Sequence, residues 1–160
     1  NLDDITEINA EVPKMVFDSL VYKFPENSQQ AQFSLPYCLA CSAIYGSVRL
    51  KDIEPNEIHS PKKKIIMNLV TVNLSSELSS DDMRIKFPES TRLTIKLKNG
   101  QQLEGFCGNA LGMPSLPLSD EMLINKFESC LDYTGIKYKN INLENINILK
   151  LAKETFSINN

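Results

Sequence analysis

The sequence holds one histidine, His59, and four cysteines, at 38, 41, 107 and 130. Few histidines leave few routes to metal or nucleophilic chemistry. Zinc needs more ligands than Cys38, Cys41 and one imidazole supply, so no metal is expected. His59 lies in a polar loop just ahead of a helix cap and reads as a solvent-exposed side chain, not as part of a triad. Four cysteines in 160 residues are sparse for a disulfide-built secreted domain, and reduced thiols are expected.

Long apolar runs are also missing. Spanning a bilayer takes roughly 18 apolar residues or more. The most apolar stretch, Leu35 to Val48, is shorter and is interrupted by Pro36, two serines and Gly46. The chain starts on Asn1 with nothing resembling a signal peptide, so Asn1 is expected to be a cut point. A cytoplasmic location follows as an expectation, and the Asn73-Leu74-Ser75 sequon carries little weight. The net charge of -3 gives no general attraction to nucleic acid or to acidic membranes. Gly105, Gly108 and Gly112 do not make a phosphate loop, because no Lys-Ser/Thr follows them.

What is present is an ordinary globular composition, 42% apolar and 23% charged, enough for one domain. Residues 5–12 alternate as a strand that ends at Pro13. Residues 15–22 fit helix or strand equally, and 23–32 read as a loop. Ser34, an N-cap residue type, is followed by Pro36 in the first turn and Gly46 at the stop, which predicts a helix over 35–45. A second helix is predicted from Pro61 to about Asn68, then a strand to Leu74. Residues 75–89 read as an exposed loop.

Leu93, Ile95 and Leu97 alternate with polar residues over 91–98, and Asn99-Gly100 signals a hairpin to a partner strand at 101–107. Ser119 caps a predicted helix over 120–133, and a last helix is expected near 143–156. Helices segregated on a mainly antiparallel sheet make the fold class α+β. Lys62, Lys63 and Lys64 read as a solvated helix face. Cys38 and Cys41 lie inside the apolar helix at i, i+3 and read as buried side chains.

Tyr37 lies in the first turn of helix 35–45. Helix starts attract anions through free N–H groups and the helix dipole. A phenol there can donate to a carboxylate or move a proton, and packing on the core edge is the alternative.

AQFSLPYCLACSAIYG resembles the A-x-F-S-L-P-Y helix of the MmgE/PrpD family. KNG followed by GNALGMPSLPLSDEMLINKF resembles that family's later stretch, with Asn99 where Asp is usual. The resemblance covers most of residues 5–134. It implies that residues 1–134 form an α+β lid domain and that 135–160 return to a large helical domain. It implies an enzyme of the 2-methylcitrate dehydratase, cis-aconitate decarboxylase or iminodisuccinate epimerase kind, acting beside a carboxylate of a di- or tricarboxylate. No metal or organic cofactor is implied. A homo-oligomer is expected.

The family's cleft-lining tyrosine falls on Tyr37, as a catalytic and substrate-binding residue. Ser34 is expected to cap the helix and to touch substrate secondarily, and Gly112 to border the same cleft. The family's lid lysine and histidine precede the first strand and are not among these residues, nor are those of the helical domain. The fragment alone is therefore expected to be inactive. The alternative is a stand-alone, non-catalytic interaction module.

Overall fold

The computed structural model describes residues 1–135. Within them, residues Asn1–Ser115 form one compact unit and a second begins at Leu116. In the first unit, β1 (Ile5–Val12), β2 (Val70–Leu74), β3 (Thr91–Leu97) and β4 (Gln102–Cys107) form a sheet in the order β2-β1-β3-β4. The α+β expectation holds. β1–β3 and β3–β4 are antiparallel, while β2 runs parallel to β1. A parallel neighbour requires a long crossover, and the crossover here contains α1 (Lys14–Ser19), α2 (Ser28–Gln32), α3 (Leu35–Tyr45), α4 (Pro55–Ile58) and α5 (Pro61–Leu69).

Period-two alternation gives the sheet two chemically different faces. Ile8 pairs with Val70 and Ile95, and Ala10 with Val72 and Leu93, on an apolar face. Ile8, Ile66, Met67, Val70, Ala40 and Cys41 form the buried centre. The opposite face is polar: Lys96 reaches Glu7 at 2.9 Å and Arg92 reaches Glu77 at 2.8 Å. Such exposed pairs contribute about 0–1 kcal/mol each, so the apolar face carries the fold.

Several local expectations need correction. Residues 28–32 are helical, because Asn27 caps α2 by accepting from Gln30 N–H at 2.9 Å. The polar stretch 75–89 contains α6 (Asp81–Lys86), with two acidic residues in its first turn. The 15–22 ambiguity resolves as α1. Asn99-Gly100 does turn the hairpin, but the loop starts at Lys98, one residue earlier than strands over 91–98 and 101–107 would place it. Only Gly100 has a positive φ, 84°, and Gly100 N–H returns to the Leu97 carbonyl. That is the three-residue hairpin with glycine in the left-handed position. Asn99 instead accepts from Gln101 N–H through its side chain.

The second unit contains α7 (Asp120–Thr134), capped by Ser119, whose Oγ accepts from Met122 N–H. The expected helix near 143–156 and nearly all of the expected 135–160 tail lie outside the described residues. Among the described residues no helix is long and apolar enough to cross a membrane. All four cysteines are free; Cys41 is buried, Cys38 half-buried, and Cys107 and Cys130 are exposed.

Candidate functional site

Helix α3 starts as its sequence dictates. Ser34 Oγ accepts from Tyr37 N–H at 3.1 Å, and Gly46 ends the helix at φ 77°. This start leaves little for an anion. Pro36 has no N–H, Tyr37's is taken by Ser34 Oγ, and Cys38's goes to the Ser34 carbonyl at 3.0 Å. Ser34 and Tyr37 are both fully buried.

The Tyr37 phenol therefore does not face an open cleft in this conformation. Its hydroxyl donates to the Asp52 carbonyl and lies 3.3 Å from that of Glu57. Asp52 belongs to a short 3-10 turn, Leu50–Ile53, that precedes α4. The same hydroxyl accepts from the ammonium of Lys63, at 2.8 Å. Lys63 Nζ also donates to the Asp52 carbonyl at 3.2 Å and the Glu57 carbonyl at 3.1 Å, with the Glu57 carboxylate at 3.4 Å. Nζ sits 4.9 Å from the Tyr37 ring centroid and 5.7 Å from that of Tyr45, within cation–π range.

Lys63 is the residue that the sequence reading missed. It was expected on a solvated face with Lys62 and Lys64, and it is fully buried. A signal existed. Ile66 and Met67, at i+3 and i+4 from Lys63, are buried core residues, and those spacings share one helix face. Its flanking lysines are exposed.

The Asp52 carboxylate faces another cation. Arg49 grips it at 2.9 Å through Nε and 2.7 Å through Nη2, and Arg49 N–H adds a third bond at 2.9 Å. These bonds outweigh the burial of Asp52 and hold its carboxyl below the usual aspartate range. Arg49 also stacks on the Tyr45 ring, 4.4 Å from its centroid.

Burial pushes the Tyr37 phenol up to about 12, against a smaller opposite effect of Lys63. For Lys63, burial works to lower the ammonium's pKa. The Tyr37 hydroxyl, Cys41 and Glu57 act the other way, and the result is raised above the ordinary lysine value. At neutral pH the knot thus holds a neutral phenol and a charged amine. A phenol whose proton is committed to a carbonyl is a poor donor to anything else.

Ser34 and Tyr37 are brought together, and Gly112 has no bond to their knot. It is exposed at the third position of a turn closed by Met113 N–H on the Ala110 carbonyl, with φ 99°. Glycine is what that conformation needs. A cavity of about 370 Å³ opens beside Pro36, lined by Phe17, Leu20, Val21, Val70 and Val72 with Lys23 at one side. Tyr22 and Thr71 complete a mainly apolar lining in which Lys23 is the one cation, so a polycarboxylate would lose hydration there with little charge to replace it.

A family model described as "MmgE/PrpD C-terminal domain" matches residues 1–147. No curated protein matches the chain.

Proposed function

The chain belongs to the MmgE/PrpD family, and on that premise we propose that it is the lid portion of an enzyme acting on di- or tricarboxylates. The reaction class is dehydration, decarboxylation or epimerisation beside a carboxylate. It uses side-chain acids and bases and runs without a metal or organic cofactor. The observation that carries this reading is the family match over residues 1–147. In the reading, a helical domain supplies the remaining acids and bases, and the assembly is a cytoplasmic homo-oligomer. Tyr37 is the catalytic and substrate-contacting residue, with Ser34 holding its helix start and Gly112 bordering the cleft.

The geometry puts a condition on that role. Tyr37 reaches a substrate only if its hydroxyl leaves the Asp52 carbonyl. The test pairs this chain with the helical domain of a family member and measures turnover of di- and tricarboxylates. Joined domains are expected to be active and the chain alone inactive. In the joined protein, Tyr37→Phe should lower kcat by a factor on the order of 10²–10⁴. An inactive assembly that is folded and joined would turn the reading toward a non-catalytic interaction module.

A further inference from the structure

We propose that the buried ammonium of Lys63 is a latch that holds the strap Arg49–Ile58 closed over the Tyr37 hydroxyl. The proposal rests on a match of donors to acceptors. A charged lysine has three N–H donors. Lys63 directs them at the Tyr37 oxygen and at the carbonyls of Asp52 and Glu57. One atom on α5 thus ties α3 to two points of the strap, on either side of Glu54. A neutral amine carries one donor fewer, and an apolar side chain none.

Besides the Lys63 ammonium, the strap is held by the Tyr37 hydroxyl on the Asp52 carbonyl, by Arg49 on the Tyr45 ring and by packing against α2, none of which brings a second buried charge to its carbonyls. It consists of the 3-10 turn and a single turn of α-helix, far below the length at which a helix stands alone. Its Arg49–Asp52 ion pair lies within the strap, and Arg49 reaches α3 only by stacking on the exposed Tyr45 ring, 4.4 Å from its centroid. Ile58, 2% exposed, anchors only its far end, and Ile53 packs partly against the core. The charged and titratable groups facing Lys63 are Tyr37, Cys41 and Tyr45 from α3, Asp52 from the 3-10 turn and Glu57 from α4.

With the strap closed, the phenol is spent on Asp52. With it displaced, a phenol and an ammonium 2.8 Å apart become two adjacent donors on α3 and α5, the complement of one carboxylate. This consequence, unlike the latch itself, rests on the carboxylate reading above.

The experiment is native-state hydrogen exchange on the whole chain, comparing wild type with Lys63→Met, which keeps bulk and removes the charge. Exchange of strap amides 50–54 and 56–58 should rise about tenfold or more, with β1 and β3 unchanged. Unchanged strap exchange would overturn the latch. Should the variant fail to fold, competitive amine acylation of wild type decides instead. Lys63 should react on the order of 100-fold more slowly than Lys62 and Lys64; equal rates would overturn the latch. Citrate then separates the two ideas. Faster strap exchange in wild type with citrate supports the exposed donor pair. No citrate effect, beside a loosened Lys63→Met strap, supports the latch and overturns the carboxylate consequence.

Discussion

Tyr37→Phe in this chain separates a packed phenol from a free one. The substitution removes one oxygen and leaves the ring, so cavity costs are small. What is lost is a buried donor to the Asp52 carbonyl and an acceptor for the Lys63 ammonium at 2.8 Å. A buried polar group left without its partner costs about 1–3 kcal/mol, more for a charged one, so a loss of about 2–3 kcal/mol is expected. That is a large share of the roughly 5–15 kcal/mol of a small domain. At about 2–4 °C per kcal/mol for a chain of this size, Tm should fall by about 4–12 °C.

The chain has no tryptophan, so urea unfolding is best followed by circular dichroism. The midpoint should fall with the slope unchanged. A double-mutant cycle with Lys63→Met should give a coupling of about 1 kcal/mol or more, since the two side chains share one bond. A stability change under about 0.5 kcal/mol would refute the reasoning, because a surface hydroxyl removed without consequence behaves that way.

Three other outcomes are expected. Gly108→Ala should destabilise by about 1–3 kcal/mol, because the new Cβ would lie 2.6 Å from Phe87, whose ring is set edge-on to Phe106; equal urea midpoints would contradict this packing. Under a thiol reagent in native buffer, Cys107 and Cys130 should react first and Cys41 last, and rapid labelling of Cys41 would show that α3 does not bury it. Asp52 has a carboxyl held below its unfolded value, so its contribution is present above about pH 4 and is lost as pH falls through the folded value. Asp52→Asn should lower stability at pH 7 and flatten that acid limb; an acid profile equal to wild type would count against it.

Much of the fold was legible because it depends on local rules. Ser34, Pro36 and Gly46 mark the ends of α3, and the alternation of β3 with its Asn-Gly turn marks a hairpin. The motif around Tyr37 sufficed for the family. Short polar helices were less legible. α2 and α6 lack an apolar stripe, and a cap or an acidic first turn carries too little energy to stand out from a loop. The parallel pairing of β2 was illegible for another reason: the crossover joins strands about sixty residues apart in sequence, and no local pattern records which edge the chain returns to.

The site divides along the same line. Sequence by itself determined that Tyr37 stands in a capped first turn, since capping is a matter of three neighbouring residues. Only the tertiary structure decided where its hydroxyl points. That depends on Lys63, 26 positions away, and on carbonyls 15 and 20 positions away. Backbone carbonyls are identical in every residue, so nothing in the letters at 52 and 57 announces them as partners. A lysine between two lysines reads as solvated until the helix is rotated so that Ile66 and Met67 face inward; Lys63 then goes in with them, and its charge must find acceptors there.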